Sequence, residues 1–147
     1  MGIIKSNVFK LALCAIIGVG IIYPTISFAG DDSIGFEFTI KPDQGNSRTT
    51  ARYRETTVEN NAWKVNVTES GEGNTALTTF WLELSGGTNV SHPFSVAEVE
   101  SAKYAPAYTN ASKAYVHLTA QNNNLNNDTY GVTGIWDEET GVLVYPQ

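Results

Sequence analysis

From residue 34 onward the chain alternates apolar and polar residues with a period of two, which restricts it to strands with one buried and one wetted face. Ile34, Phe36, Phe38 and Ile40 alternate with Gly35, Glu37 and Thr39, and Trp63, Val65 and Val67 with Lys64, Asn66 and Thr68. Ala76, Thr78, Phe80, Leu82 and Leu84 share one face, as do Ala114, Val116, Leu118 and Ala120. The three-and-four spacing of an amphipathic helix is nearly absent. The fold class is therefore all-β: a single antiparallel two-sheet β-sandwich of about seven to eight short strands, with a small β-barrel as the alternative. Phe36, Phe38, Trp63, Val65, Phe80, Leu82, Val116 and Leu118 are the expected core.

Turn chemistry divides the pattern. Pro42 to Ser47 turns the chain after the first strand. The glycine-rich run Ser70-Gly71-Glu72-Gly73-Asn74 suggests that residues 63–84 form a hairpin, and Asp137 to Gly141 suggests a terminal hairpin of 129–136 with 142–145. Arg48 to Thr57 reads as one polar edge strand. Residues 85–112 are too long for bare loop. They are expected to hold a short strand near Val90 to Phe94 and a helical turn after Ser95, where Ser95-Val96-Ala97-Glu98 fits a capping box. Asn122 to Asp128 is an asparagine-rich loop.

The first 29 residues follow a different grammar. Lys5 and Lys10 precede an apolar run from Leu11 to Ile22, and Ser27-Phe28-Ala29 supplies small residues for cleavage between Ala29 and Gly30. This is the pattern of a secretory signal peptide, too short for a lasting membrane anchor. Residues 1–29 are read as signal and 30–147 as the domain, secreted or attached to the cell surface with no membrane span after processing. The chain's one cysteine, Cys14, leaves with the signal. So do two of its nine basic residues, and seven then face fifteen acids, a formal charge of −8 in place of −6. So acidic a domain is a poor partner for nucleic acid.

Chemistry-bearing motifs are sparse. Nucleophilic catalysis needs a nucleophile beside a base, and neither His92 nor His117 lies in such a motif. Their spacing does not suit a transition metal either. Asp137, Glu138 and Glu139 read as solvated turn charges, with calcium ligation the lesser alternative. A glycosidase needs two acids about 5 to 9 Å apart, which abundance alone does not supply. No catalytic residue, metal ligand or cofactor is assigned. Sequons at Asn66, Asn89, Asn110 and Asn127 are common by chance in so asparagine-rich a chain.

The aromatic residues are more informative. Trp81 and Tyr115 alternate out of the core faces, joined by Tyr53, while Tyr104 and Tyr108 flank Ala105-Pro106-Ala107 in the long excursion. Arg52 lies in a basic segment with Arg48 and Arg54. Trp81, Tyr115, Arg52, Tyr104 and Tyr108 are the candidate binding residues, Trp81 the foremost, because exposed aromatics on a β scaffold stack on sugars or grip peptides.

Several segments together resemble a known family: Ile34-Gly35-Phe36-Glu37-Phe38-Thr39-Ile40, Ala51-Arg52-Tyr53-Arg54-Glu55-Thr56, Trp63-Lys64-Val65-Asn66-Val67, Phe80-Trp81-Leu82, Tyr104-Ala105-Pro106-Ala107-Tyr108 and Gly134-Ile135-Trp136-Asp137-Glu138-Glu139-Thr140. In order and spacing they resemble small exported bacterial proteins catalogued as a domain of unknown function. The resemblance implies bacterial export, which makes the sequons irrelevant. It also implies, for some relatives, genes near peptide-antibiotic (lantibiotic-type) ABC transporters. It brings no site residue. The expected function is non-enzymatic binding of an extracellular peptide, protein or envelope glycan. A bacteriocin-like or immunity-type effector is the second reading, and a carboxylate-dependent carbohydrate-active enzyme the third.

Overall fold

Phe36, Phe38 and Ile40 are buried and Gly35, Glu37 and Thr39 exposed, so the alternation read along β1 (Ile34–Ile40) is its burial pattern from Gly35 onward, while Ile34 at the strand's start is half exposed. The computed structural model describes residues 32–145; the expected signal segment with Cys14, and the expected cleavage residues Ala29 and Gly30, lie outside the described residues. After β1 come β2 (Ser47–Arg48), β3 (Arg52–Arg54), β4 (Trp63–Ser70), β5 (Thr78–Leu84), β6 (Phe94–Val96) and β7 (Lys103–Ala105). A 3₁₀ turn (Thr109–Ala111), β8 (Ala114–Asn122) and β9 (Tyr130–Asp137) follow. Among the described residues no helix is long and apolar enough to cross a membrane.

The strands form two antiparallel sheets. One has the order β1-β9-β4-β7; the other runs β2-β8-β5-β6, with β3 also on β8. The sheets do not close on themselves, so the architecture is sandwich-like rather than a barrel. All eight expected core residues are buried between them. Phe36 and Phe38 from one sheet meet Phe80 of the other at ring separations of 5.7 and 6.5 Å. Trp63 packs on Phe94 at 4.6 Å and donates its indole N–H to the Pro106 carbonyl. Interdigitation of this kind is how two half-apolar sheets bury their inner faces.

Connectivity departs from the expected hairpins. β4 is flanked by β9 and β7, and β5 by β8 and β6, so residues 63–84 cross from one sheet to the other. Alternation tells which face of a strand is buried but not which strand lies beside it, and the link from Gly71 to Leu77 is long enough to span the ~10 Å between packed sheets. The terminal hairpin is absent for a related reason: β9 already has β1 and β4 on its two edges. Residues 142–144 run instead along Asn60 to Ala62, with Ala62 N–H donating to the Val142 carbonyl and Val144 N–H to that of Asn60, 2.8 and 2.9 Å.

The expected strand over Arg48 to Thr57 is broken into β2 and β3, which pair with different parts of β8. In the gap Thr49 N–H donates to the Leu118 carbonyl and the Leu118 N–H to Thr49 Oγ1. No helical turn follows Ser95. Ser95 belongs to β6 opposite Thr79, and the chain turns after it with Ala97 N–H held by Glu100 at 2.7 Å.

Candidate functional site

The outer face of the five-stranded sheet follows from the register. Phe80, Leu82, Val116 and Leu118 face the core, so Thr79, Trp81 and Glu83 of β5 and Tyr115, His117, Thr119 and Gln121 of β8 point outward. Cross-strand partners stand close enough to interact. Tyr53 on β3 is opposite Tyr115, and their rings lie 5.1 Å apart at 58°. Both are exposed, Tyr53 at 41% and Tyr115 at 61%.

Trp81 is not the exposed platform expected of it: only 5% of its surface is accessible. Residues 85–93 fold back over the sheet edge, Asn89 bridging to Glu83, and the remaining indole surface helps line a cavity of about 170 Å³ with Thr79, Asn89, Pro93 and Gln121. The ring is fixed from below. Its Nε1–H donates to Glu83 Oε1 at 2.7 Å, and Arg48 Nη2 donates to Glu83 Oε2 at 2.6 Å. Glu83 is 3% exposed and therefore depends on both donors. Beside the cavity, Thr79, Ser95 and Asn123 form a hydroxyl and amide triangle with distances of 2.9 to 3.2 Å. His117 is held between the Thr49 carbonyl and Ser85.

The other candidate residues lie elsewhere. Arg52 pairs opposite Val116 and so faces the interior, on the other side of the sheet from its neighbour Tyr53. Its guanidinium lies 5.7 Å from the centroid of the Trp136 ring and forms ion pairs with Asp32, at 2.6 Å, and with Glu138. Tyr104 is exposed on β7 of the four-stranded sheet, opposite Lys64. Tyr108 stands at the sandwich edge, its hydroxyl 2.9 Å from His92 Nδ1. Thus Trp81 and Tyr115 share a face, and Arg52, Tyr104 and Tyr108 are not on it. The sequence reading missed the cavity residues Asn89, Pro93, Thr79 and Gln121. Parity of β5 and β8 places Thr79 and Gln121 outward; nothing in the pattern places Asn89 and Pro93 beside them.

The acidic run that begins at the last residue of β9 is buried rather than solvated: Asp137, Glu138 and Glu139 are 0%, 5% and 1% exposed. The reason is basic and backbone partners nearby. Glu139 accepts from the backbone N–H groups of Glu55 and Thr56 at 2.9 and 2.7 Å. Arg54, 1% exposed, donates to the carbonyls of Glu138, Val58 and Asn61. Burial lowers the Arg54 pKa, opposed by the charges of Glu139, Glu138 and Asp137. Burial also pushes the Glu138 carboxyl above its ordinary range. Carboxylate oxygens of Asp32, Asp137 and Glu138 lie within 4.8 Å of one another, a spacing that could hold a cation. The Arg52 guanidinium already pairs with two of the three, its single charge shared between Asp32 and Glu138.

At the opposite end of the sandwich, Glu72 Oε1 accepts from the side-chain amides of Asn122 and Asn126 and clasps the asparagine-rich loop. The phenol of Tyr130 nearby is pushed up to about 12, mainly by burial.

No curated protein and no solved structure matches this chain significantly. A family model does match, over residues 25–140, and the chain belongs to that family, described as protein of unknown function (DUF2712).

Proposed function

We propose that this protein is an exported, non-enzymatic binding module that holds a cell-envelope glycan or a peptide on the outer face of its five-stranded sheet. The observation that carries this reading is the Tyr53–Tyr115 pair, two large rings standing exposed and in contact on a rigid strand pair. Tyrosine offers an apolar body and a polar tip at low conformational cost, which is why it dominates many recognition surfaces. A cavity farther along the same face supplies hydrogen-bonding groups. The buried acids support the non-enzymatic reading, since Glu83, Glu138 and Glu139 are engaged by arginine, indole and backbone donors. The sequence pattern of residues 1–29 supports export.

Co-sedimentation of the exported form with bacterial wall sacculi, and its titration with peptides from culture supernatant, tests the reading. A Tyr53→Ala/Tyr115→Ala double variant should lose about tenfold or more in affinity while keeping its melting temperature, as expected of exposed aromatic hot spots. Binding undiminished in that variant overturns the site. Growth inhibition by the purified protein without retention on sacculi would favour the effector reading, toward which a transporter gene beside this one would also point.

A further inference from the structure

The outward side chains of β5 and β8 carry one formal charge, Glu83, and Arg48 neutralises it at 2.6 Å. On an acidic protein this face is therefore locally uncharged, and it offers little attraction to an ionic ligand. What it does offer is amide and hydroxyl chemistry. Asn89 and Gln121 line the cavity with Thr79, and among the described residues the side-chain amides of Asn89 and Gln121 make no hydrogen bond within the protein. Each amide can both donate and accept, the pairing that hydroxyl and acetamido groups require. The cavity, at about 170 Å³, is smaller than the range of roughly 300 Å³ and above that takes a drug-sized ligand, so it seats one unit of a larger molecule.

The exposed rings lie beyond that unit. Trp81 is opposite Thr119 on β8, and Tyr53 is opposite Tyr115 on the same strand, four residues along. At ~3.3 Å per residue the two positions are about 13 Å apart, and Gln121, opposite Thr79 in the cavity, is about 20 Å from Tyr115. One sugar ring cannot bridge that distance, and a short linear oligosaccharide can.

Resting on the binding face proposed above, we infer that its ligand is an uncharged linear glycan held at two subsites. One sugar sits in the cavity against Asn89, Gln121 and the edge of Trp81, and a later sugar stacks on the Tyr53–Tyr115 pair. The Arg48–Glu83 pair acts as a positioning device, holding the indole wall and removing the local charge.

Calorimetric titration of the exported form with β-1,4-linked glucose and N-acetylglucosamine oligomers, from one to six units, tests this. Affinity should climb by about tenfold or more between the monosaccharide and oligomers of about four to five units, then level off. Tyr115→Ala should remove the gain from length and leave monosaccharide binding in place, whereas Gln121→Ala should weaken every oligomer. Affinity independent of length overturns the two-subsite arrangement. Tight binding of penta-lysine, penta-glutamate or an uncharged peptide, lost in Tyr115→Ala while the sugars fail to bind, overturns the ligand class and leaves the face standing. Sacculus binding that the Tyr53→Ala/Tyr115→Ala double variant does not diminish would remove the face itself.

Discussion

Arg52 and Tyr53 are adjacent in sequence and serve opposite sides of one sheet, the arginine turned toward Trp136 and Glu138 and the tyrosine toward solvent. Strand parity makes that division legible, since Tyr53 pairs with Tyr115 and Arg52 with the core residue Val116. Parity says nothing about cover: it places Trp81 on the outer face, and it does not show that Asn89 and Pro93 lie beside the ring there. Trp81 therefore belongs to the stability of the molecule as much as to its site. Trp81→Phe keeps most of the ring and removes the N–H that serves Glu83, so it should cost about 1 to 3 kcal/mol in urea unfolding. An unchanged midpoint would show that Arg48 alone satisfies the carboxylate. Trp81→Ala would add a core-sized truncation of about 3 to 5 kcal/mol, which makes Tyr115 the cleaner probe of binding.

Strand existence was legible wherever apolar residues alternate over a long run, as in β1, β4, β5 and β8. Partnership was not. Ser70 to Asn74 carries every sign of a hairpin turn, including Gly73 with φ of 119°, yet the strands on either side enter different sheets. Turn residues let a chain reverse; which edge it then meets is decided by long-range packing. The central strand β9 shows this most sharply, because its glycine is demanded by neighbours far away in sequence. A Cβ on Gly134 would collide with the Asn66 carbonyl oxygen of β4 and come within 2.6 Å of the Phe36 ring of β1. Neither obstacle can yield cheaply, one being backbone and the other a buried ring. Gly134→Ala should cost about 3 kcal/mol or more, at or above the upper end of ordinary overpacking, and guanidinium unfolding measures it. A loss below about 1 kcal/mol would mean that β4 and β9 can separate without harm.

At the scale of the molecule, two open sheets must be held in register without a crosslink, since one cysteine cannot form an internal disulfide. Burial between the sheets supplies most of that cohesion, but a second device stands at one end. Arg54 belongs to β3 of the five-stranded sheet and donates to the Glu138 carbonyl just past β9 of the four-stranded sheet, and to Val58 and Asn61 in the intervening loop. Glu139 returns the tie by accepting from Glu55 and Thr56. Three arginines close together in one segment ask for acidic partners, but no local pattern shows that Arg48 meets Glu83 while Arg52 and Arg54 meet the residues that follow Trp136. The planar guanidinium reaches its three carbonyls from two separate nitrogens, Nη1 and Nη2, whereas lysine's three donors radiate from a single atom and cannot occupy both positions. Arg54→Lys should therefore leave buried carbonyls unpaired and cost about 3 kcal/mol or more. Hydrogen exchange distinguishes a cross-tie from a local cap. If Arg54 joins the sheets, amides of β8 and β9 should lose protection together in the variant. If only β3 and residues 55–61 lose protection while β9 keeps its own, Arg54 caps one edge strand and hydrophobic burial alone holds the two sheets together.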